Sequence, residues 1–347
     1  MADLQTDATP AKIFETLRAV TSAGELSVAK GTLSYHGRLS SAQGTLFNID
    51  YKDLDSRLAL AQQVVRVDEL KFAAMDGLLQ GNGQYAFAGP TPFFNLSAKI
   101  RGVDIEQYAR AVLRAEAKRL RGRLRLDATL AGQGMGWEQI LSTLDGRGAA
   151  AVTQGALLNF NLAEQVLTKV SGIAGLRSLV PGSVRERYPR IFTARDTAFD
   201  ELKGNFILTQ GAAQLKDVQL SAPDFGASGE GRGDLTGRIN FAGALSLSSQ
   251  LTRDLVRAVK EAKYLASEDG KLEIPFTLKG VLPRVKAKPD LRRLGRSLRD
   301  GWLGSALKNL QKQLPGTPGQ RESNARDDKQ RAGKEILRKG LEWLLGR

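Results

Sequence analysis

Residues 123–130 read Arg123-Leu124-Arg125-Leu126-Asp127-Ala128-Thr129-Leu130. Leu124, Leu126, Ala128 and Leu130 fall on one side of this stretch and the charged residues on the other. A strand sends successive side chains to opposite faces, so this period of two describes a half-buried strand with one wet side. The same parity recurs in Phe94, Leu96, Ala98 and Ile100. It recurs again in Ile239, Phe241, Leu245 and Leu247, and in Leu272, Ile274, Phe276 and Leu278. Strands buried on both faces of a parallel sheet would read as continuous apolar runs. The pattern therefore predicts a mainly antiparallel sheet with one apolar face.

Turn signals separate the strands at Met75-Asp76-Gly77, Gln80-Gly81-Asn82-Gly83, Thr153-Gln154-Gly155, Thr209-Gln210-Gly211 and Leu235-Thr236-Gly237. Helical spacing is found over roughly 11–22, 104–119, 137–144, 161–170 and 252–266, with Asp104 and Thr252 as N-caps. Strands and helices do not interleave as βαβ units. The fold class expected is mainly β with peripheral helices (α+β).

A gapless repeat runs through this pattern. Glu69-Leu70-Lys71-Phe72-Ala73-Ala74-Met75-Asp76, then Gly81 and Gly83, recurs 148 residues later as Asp217-Val218-Gln219-Leu220-Ser221-Ala222-Pro223-Asp224, then Gly229 and Gly231. More alternating strand and a helix follow each copy. This describes a chain built by stacking one β-meander-plus-helix unit. The organisation expected is a helical lead-in over 1–23, a first β-groove unit over 24–120, a second over 121–290, and a basic amphipathic helical tail over 291–347 with a linker at 315–333.

Composition narrows the chemistry. The 347 residues are 41% hydrophobic, as in a globular protein. The 37 glycines are about one and a half times average usage, which points to many turns and short elements. There are no cysteines, which excludes disulfides, thiolate metal sites and thiol nucleophiles. His36 is the single histidine, so multi-histidine metal sites are excluded. No run approaches the ~18 apolar residues of a membrane helix, and the N-terminus lacks the basic start and apolar stretch of a secretory signal.

The net charge of +14 is unevenly spread. Residues 284–347 hold 17 Lys+Arg against 7 Asp+Glu, leaving the rest close to balanced. Arg292, Arg293, Arg296 and Arg299 lie between leucines at helical spacing, and Trp302 and Trp343 stand beside basic residues. A basic amphipathic helix with interfacial tryptophans suits an anionic membrane surface; a solvated helix accounts for the same pattern.

Leu144-Asp145-Gly146-Arg147-Gly148 leads through Gln154-Gly155-Ala156-Leu157-Leu158-Asn159-Phe160-Asn161-Leu162-Ala163 into a helix. Phe199-Asp200-Glu201-Leu202-Lys203-Gly204-Asn205-Phe206, Leu220-Ser221-Ala222-Pro223-Asp224-Phe225, Gly229-Glu230-Gly231-Arg232-Gly233-Asp234-Leu235 and Ile274-Pro275-Phe276-Thr277-Leu278-Lys279-Gly280 follow. In this order they resemble the C-terminal region of AsmA-family proteins of Gram-negative envelopes. The resemblance extends over most of residues 24–290. It implies a curved antiparallel β-groove of the bridge-like lipid-transfer type, periplasmic, held to the inner membrane by an N-terminal helix and engaged in phospholipid traffic and outer-membrane homeostasis. The present chain departs from that pattern at its start, where the anchor and much of the N-terminal β-rich region are missing.

The residues lead to a compatible function. Many strands offer an apolar face that the few helices do not cover, and such a face must curl on itself, meet a partner or hold a ligand. Burying each methylene contributes roughly 0.8 kcal/mol, so a sixteen-carbon chain gains on the order of 10 kcal/mol. The candidate acyl-chain contacts are Leu70, Phe72, Phe94, Leu96, Leu124, Leu126, Val218, Leu220, Ile239, Phe241, Leu245, Leu247, Leu272 and Ile274. An ordinary sealed core explains the same alternation. The expected partners are phospholipid acyl chains, an anionic membrane surface met by the tail, and envelope proteins. An assembly factor for outer-membrane proteins, working through sheet edges, is the alternative; nucleic-acid binding through the tail ranks below both.

No catalytic, metal or cofactor site is expected. Gly132-Gln133-Gly134-Met135-Gly136 lacks the spacing and lysine of a phosphate loop and reads as a turn. Asp76 and Asp224 occupy matching turn positions in the repeat. His36 lies on the polar side of its strand.

Overall fold

The computed structural model describes residues 16–29, 32–46, 49–107, 120–170, 180–234, 237–267, 269–281 and 284–296. Its strands are β1 (Thr16–Ala29), β2 (Thr32–Leu46), β3 (Ile49–Ala61), β4 (Val64–Ala74), β5 (Gly77–Ala86), β6 (Phe93–Asp104) and β7 (Leu120–Gln133), then β8 (Asp145–Leu157), β9 (Thr197–Thr209), β10 (Ala212–Ser221), β11 (Phe225–Asp234), β12 (Arg238–Leu247), β13 (Glu273–Val281) and β14 (Arg284–Pro289). They form one open, curved, antiparallel sheet of 14 strands in strict sequence order.

The meander follows from its turns. Gln62-Gln63 between β3 and β4, Met75-Asp76 between β4 and β5, and Gln210-Gly211 between β9 and β10 all have positive φ at both central positions. That geometry matches the twist of the flanking strands and closes a two-residue hairpin. Asp76 and Gly211 were legible as turn residues; Gln62 and Gln63 carry no such signal.

Pairing aligns the apolar residues on one face, because opposite residues in an antiparallel ladder point the same way. One row runs Val103, Leu124, Val152, Leu202, Leu220, Ala227, Leu245 and Ile274 across β6 to β13. Another runs Phe72, Leu79, Ile100 and Leu126 across β4 to β7. The opposite face is polar and carries the cross-strand pairs Arg38–Asp55, Arg57–Glu69 and Arg101–Asp127.

The repeat is geometrically real. Leu70 pairs with Gly81 and Val67 with Gly83; 148 residues on, Val218 pairs with Gly229 and Leu215 with Gly231. Both hairpins shift register at the same place, between Val67 and Leu70 and between Leu215 and Val218.

Two expected turns lie inside strands. Gln80–Gly83 is the middle of β5, and Thr153–Gly155 belongs to β8, where Gln154 at φ 50° forms a bulge rather than a reversal. The glycine excess is accordingly not a sign of short elements: strands of 10–15 residues carry many of the glycines. Gly148 shows why. A Cβ there would come within 2.6 Å of the Phe206 ring, which occupies the space a side chain would fill.

The helices are α1 (Trp137–Thr143), α2 (Leu162–Val170), α3 (Gly182–Arg187), α4 (Pro189–Phe192) and α5 (Ser249–Ala258), followed by a 3₁₀ turn (Lys260–Leu265). The first, second and last lie near their predicted positions; α3 and α4 carried too short a pattern to be seen. Asp104 caps as expected, its Oδ1 accepting from the backbone N–H groups of Glu106 and Gln107. Thr252 does not cap: Ser248 does, accepting from Leu251, while the Thr252 hydroxyl accepts from Leu272 N–H. Residues 16–22 are strand rather than helix, because they pair with β2 as its edge. The rest of the helix expected over 104–119 lies outside the described residues beyond 107.

Helices α2 to α5 pack as a plug on the apolar face of the C-terminal half. Leu162, Val166, Leu167 and Val170 of α2, Ile191 and Phe192 of α4, and Leu251 and Leu255 of α5 form one core with Leu245, Leu247, Leu272 and Ile274 of the sheet. Residues 291–296 are helical and bring Leu294 into the same core. Beyond it, β3 and β4 hold only a small cluster around Tyr51, Leu54 and Ala74.

Candidate functional site

The uncovered part of the apolar face is a trough in two connected sections. The first holds about 460 Å³ over β4 to β6 and is lined by Val65, Val67, Leu70, Phe72, Tyr85, Phe94 and Leu96. The second holds about 650 Å³ and continues from Met75 and Val103 past Leu124, Leu126 and Val152 to Leu202, Leu215 and Val218. Leu79 and Ile100 line both, so the two are continuous. Each lies within the roughly 300–1,000 Å³ of small-molecule sites. Among the described residues no ionisable side chain except tyrosine lines the first section, and the lysine beside the second, Lys203, is held by Glu201 at 2.9 Å. Such walls offer dispersion and desolvation, not chemistry.

The candidate residues divide between this trough and the plug. Leu70, Phe72, Phe94 and Leu96 line the first section, and Leu124, Leu126 and Val218 the second; all are half-buried. Leu245, Leu247, Leu272 and Ile274 have 0% exposure and Leu220 6%, sealed beneath the helices. These five are core residues, and their place in the list of acyl-chain contacts is corrected: periodicity cannot tell a face covered by helices from an open one. Phe241 packs partly buried against that core, and Ile239 is half-buried on the same face of β12. Leu79 and Tyr85 were missed because reading Gln80–Gly83 as a turn broke the alternation that runs through β5, and Val65 and Val67 because the register shift between Val67 and Leu70 changes the parity along β4.

The plug closes the trough at its C-terminal end and is held by polar contacts. The buried Asn161 side chain accepts from Glu164 N–H and donates to the carbonyls of Ile191 and Ala194. Tyr188 donates to Asp254 Oδ2 at 2.8 Å and Arg187 to the same oxygen at 2.9 Å. Those bonds, Tyr188's first, hold the Asp254 carboxyl below its usual range; burial, then Asp254, pushes the Tyr188 phenol up to about 12.

A further cavity of about 580 Å³ at the β10–β11 turn mixes Glu201, Lys203 and Lys271 with serines. Its lining is mixed, with Leu220, Pro223, Phe225 and Leu247 beside those polar groups, and so lacks the continuous apolar floor of the trough. Of the expected turn Gly132–Gly136, Gly132 and Gln133 are the end of β7; Gly134 follows at φ 147°, its N–H donating to Pro92 carbonyl beside the start of β6. Asp76 accepts from Gln107 Nε2, and His36 is exposed. Among the described residues no group of three or more His, Asp or Glu is placed to hold a metal ion. Among them, too, no helix is long and apolar enough to cross a membrane.

Arg292, Arg293 and Arg296 are exposed on the helical segment 291–296, which Asp290 caps through the N–H groups of Arg292 and Arg293. Arg299, Trp302, Trp343 and the linker at 315–333 lie outside the described residues.

A curled antiparallel meander with one apolar face, open along part of its length and free of reactive groups along its floor, defines a β-groove protein. The family model described as the AsmA family matches residues 39–218, from β2 into β10, a span that takes in the trough. The chain belongs to the AsmA family. Membership points to a function associated with the cell envelope, in a family not known as one of enzymes. No curated protein matches the chain, and no solved structure does.

Proposed function

We propose that this protein shelters phospholipid acyl chains in the trough between β3 and β10, as a non-enzymatic component of lipid transport and outer-membrane homeostasis in the periplasm. The observation that carries the reading is the continuous apolar floor through Leu79 and Ile100, open to solvent and without a charged group of its own in the first section. Acyl tails lie along the floor and head groups stay in water at the rim. Because the plug closes the far end, tails enter and leave along the open side or from the β1 end. The basic segment from Arg292 onward meets anionic head groups.

Mass spectrometry of gently purified protein tests this. Copurified phospholipid is expected, and its amount falls when Ala98→Trp and Ala150→Trp fill the two sections. Lipid-free protein, or lipid unaffected by two folded variants, overturns the reading. A second reading, an assembly factor for outer-membrane proteins, is favoured by β1. All 14 of its residues are exposed, and among the described residues no strand neighbours its outer edge, as strand addition requires. Stoichiometric capture of an unfolded outer-membrane barrel by lipid-free protein would support that reading.

A further inference from the structure

The polar face of the sheet changes character along its length. Over β2 to β7 several cations are answered in place, while Lys52, Arg121 and Arg125 stand singly and in no ion pair among the described residues. Arg38 and Arg57 stand opposite each other in register, yet Arg38 takes Asp55 and Arg57 takes Glu69. Over β11 to β14 the described residues hold one such pair, Arg238–Asp234. Arg232, Asn240, Lys279 and Lys286 form one register row across four strands. Lys279 and Lys286 are directly opposed, an arrangement that destabilises a sheet. Arg232, Lys279, Lys286 and the neighbouring Lys288 and Arg284 are exposed and make no ion pair among the described residues. Glu230 lies on this face without pairing to any of them, and Asp234 is taken by Arg238. Strands β13 and β14 together carry four cations against Glu273.

We propose that this polar face of β11–β14 docks on the surface of an anionic lipid bilayer. The row spans three strand spacings, roughly 14 Å, longer than a Debye length at physiological salt. Its cations are spread along a row of strands rather than gathered around one point, so an extended array of negative charge complements it. Val281, 49% exposed, sits between Arg238 and Arg284 in the next row, an apolar side chain framed by cations as at a membrane interface. Asn240, Thr277 and Ala242 supply the other positions of this face, and no aromatic is there to stack bases as single-stranded nucleic acid requires. The contact anchors the closed end of the sheet and leaves the trough uncovered. It rests on the lipid-handling reading for the choice of partner, and on the tail for nothing.

The test is sedimentation of the full chain with vesicles of phosphatidylglycerol and phosphatidylcholine at about 0.1 M salt, where the Debye length is about 10 Å. Each basic residue at such a surface contributes roughly fivefold to partitioning, so R232Q/K279Q/K286Q is expected to bind about a hundredfold more weakly. A charge-matched control, K52Q/R121Q/R125Q, should stay within a few fold of the parent, with folding of both checked by circular dichroism. Equal losses in the two variants, or unchanged vesicle binding by the first, overturn the proposal. So does a loss confined to binding of a single-stranded oligonucleotide. Copurified lipid, measured in the same variants, reads the trough separately: its absence would overturn the acyl-chain reading while leaving the vesicle result intact.

Discussion

Tyr188 donates its phenolic proton to Asp254 Oδ2 across 2.8 Å, joining the α3–α4 corner to α5. The bond ties together two parts of the plug that are 66 residues apart in the chain, so its loss loosens the closed end of the trough. Tyr188→Phe is expected to lower the unfolding midpoint by a few degrees at neutral pH. The sign of the pH effect follows from both partners. A carboxyl held below its ordinary value near 3.9 stabilises the fold above that pH and loses the contribution as pH falls through its lowered folded value. The phenol, raised to about 12, contributes below about 10 and loses the contribution as pH climbs toward 12. Urea midpoints measured from pH 2 to 5 and from pH 9 to 12 should show both limbs in the parent. In Tyr188→Phe the alkaline limb should be weaker and the acid limb shallower.

Trough and plug residues should respond oppositely to truncation. Leu245 has 0% exposure under the helices, so Leu245→Ala leaves a cavity and is expected to cost about 2–5 kcal/mol. Leu96 is half-buried on the open floor, so Leu96→Ala loses partial burial alone, roughly 1 kcal/mol. Lipid retention should reverse that order, falling more in Leu96→Ala than in the folded fraction of Leu245→Ala. Denaturant unfolding and lipid mass spectrometry on the same preparations check both halves.

The fold was legible because its dominant signal is local. Alternation in Leu124–Leu130 and in Phe94–Ile100 needs no knowledge of neighbours to name a strand and its wet side. The repeat at Leu70 and Val218 was visible because register and bulge are both written into the position of Gly81 and Gly229. What was hidden depends on contacts distant in sequence. Leu245 and Leu96 have the same pattern, and only the packing of α2 to α5 separates sealed core from open floor. Gly81 and Gly83 look like turn residues until Leu96 and Ala98 are placed beside them on β6. Thr252 looks like a cap until Ser248, four residues earlier, is seen to start the helix.

Gly148 tests the account of the glycines. A Cβ at this position would meet Asp127 carbonyl oxygen at 2.5 Å and the Phe206 ring at 2.6 Å. The first is backbone and cannot rotate away, so Gly148→Ala is expected to destabilise by about 1–3 kcal/mol through overpacking. Gly136, before α1, has nothing within 4 Å of its added Cβ and an extended φ of −145°. Gly136→Ala should therefore be close to neutral. A shared response of the two glycines in thermal unfolding would contradict a packing origin.

The last prediction concerns how the sheet ends. At β14, Ala287 N–H donates to Gln165 Oε1 at 3.0 Å and Ala287 carbonyl accepts from Lys169 Nζ at 2.7 Å. Two side chains of α2 thus occupy the backbone groups through which another strand would add. Burial, then the nearby Lys288 and Lys286, holds the Lys169 amine below its ordinary value, a cost accepted at a site where sealing the edge matters. Gln165→Leu with Lys169→Met removes both caps and strips one charge from the edge. The exposed ladder groups then lack partners among the described residues, so concentration-dependent association is expected by analytical ultracentrifugation, with the trough untouched and lipid content unchanged. Were the double variant to stay monomeric at the concentrations where the parent does, the α2 contacts would be incidental to the edge.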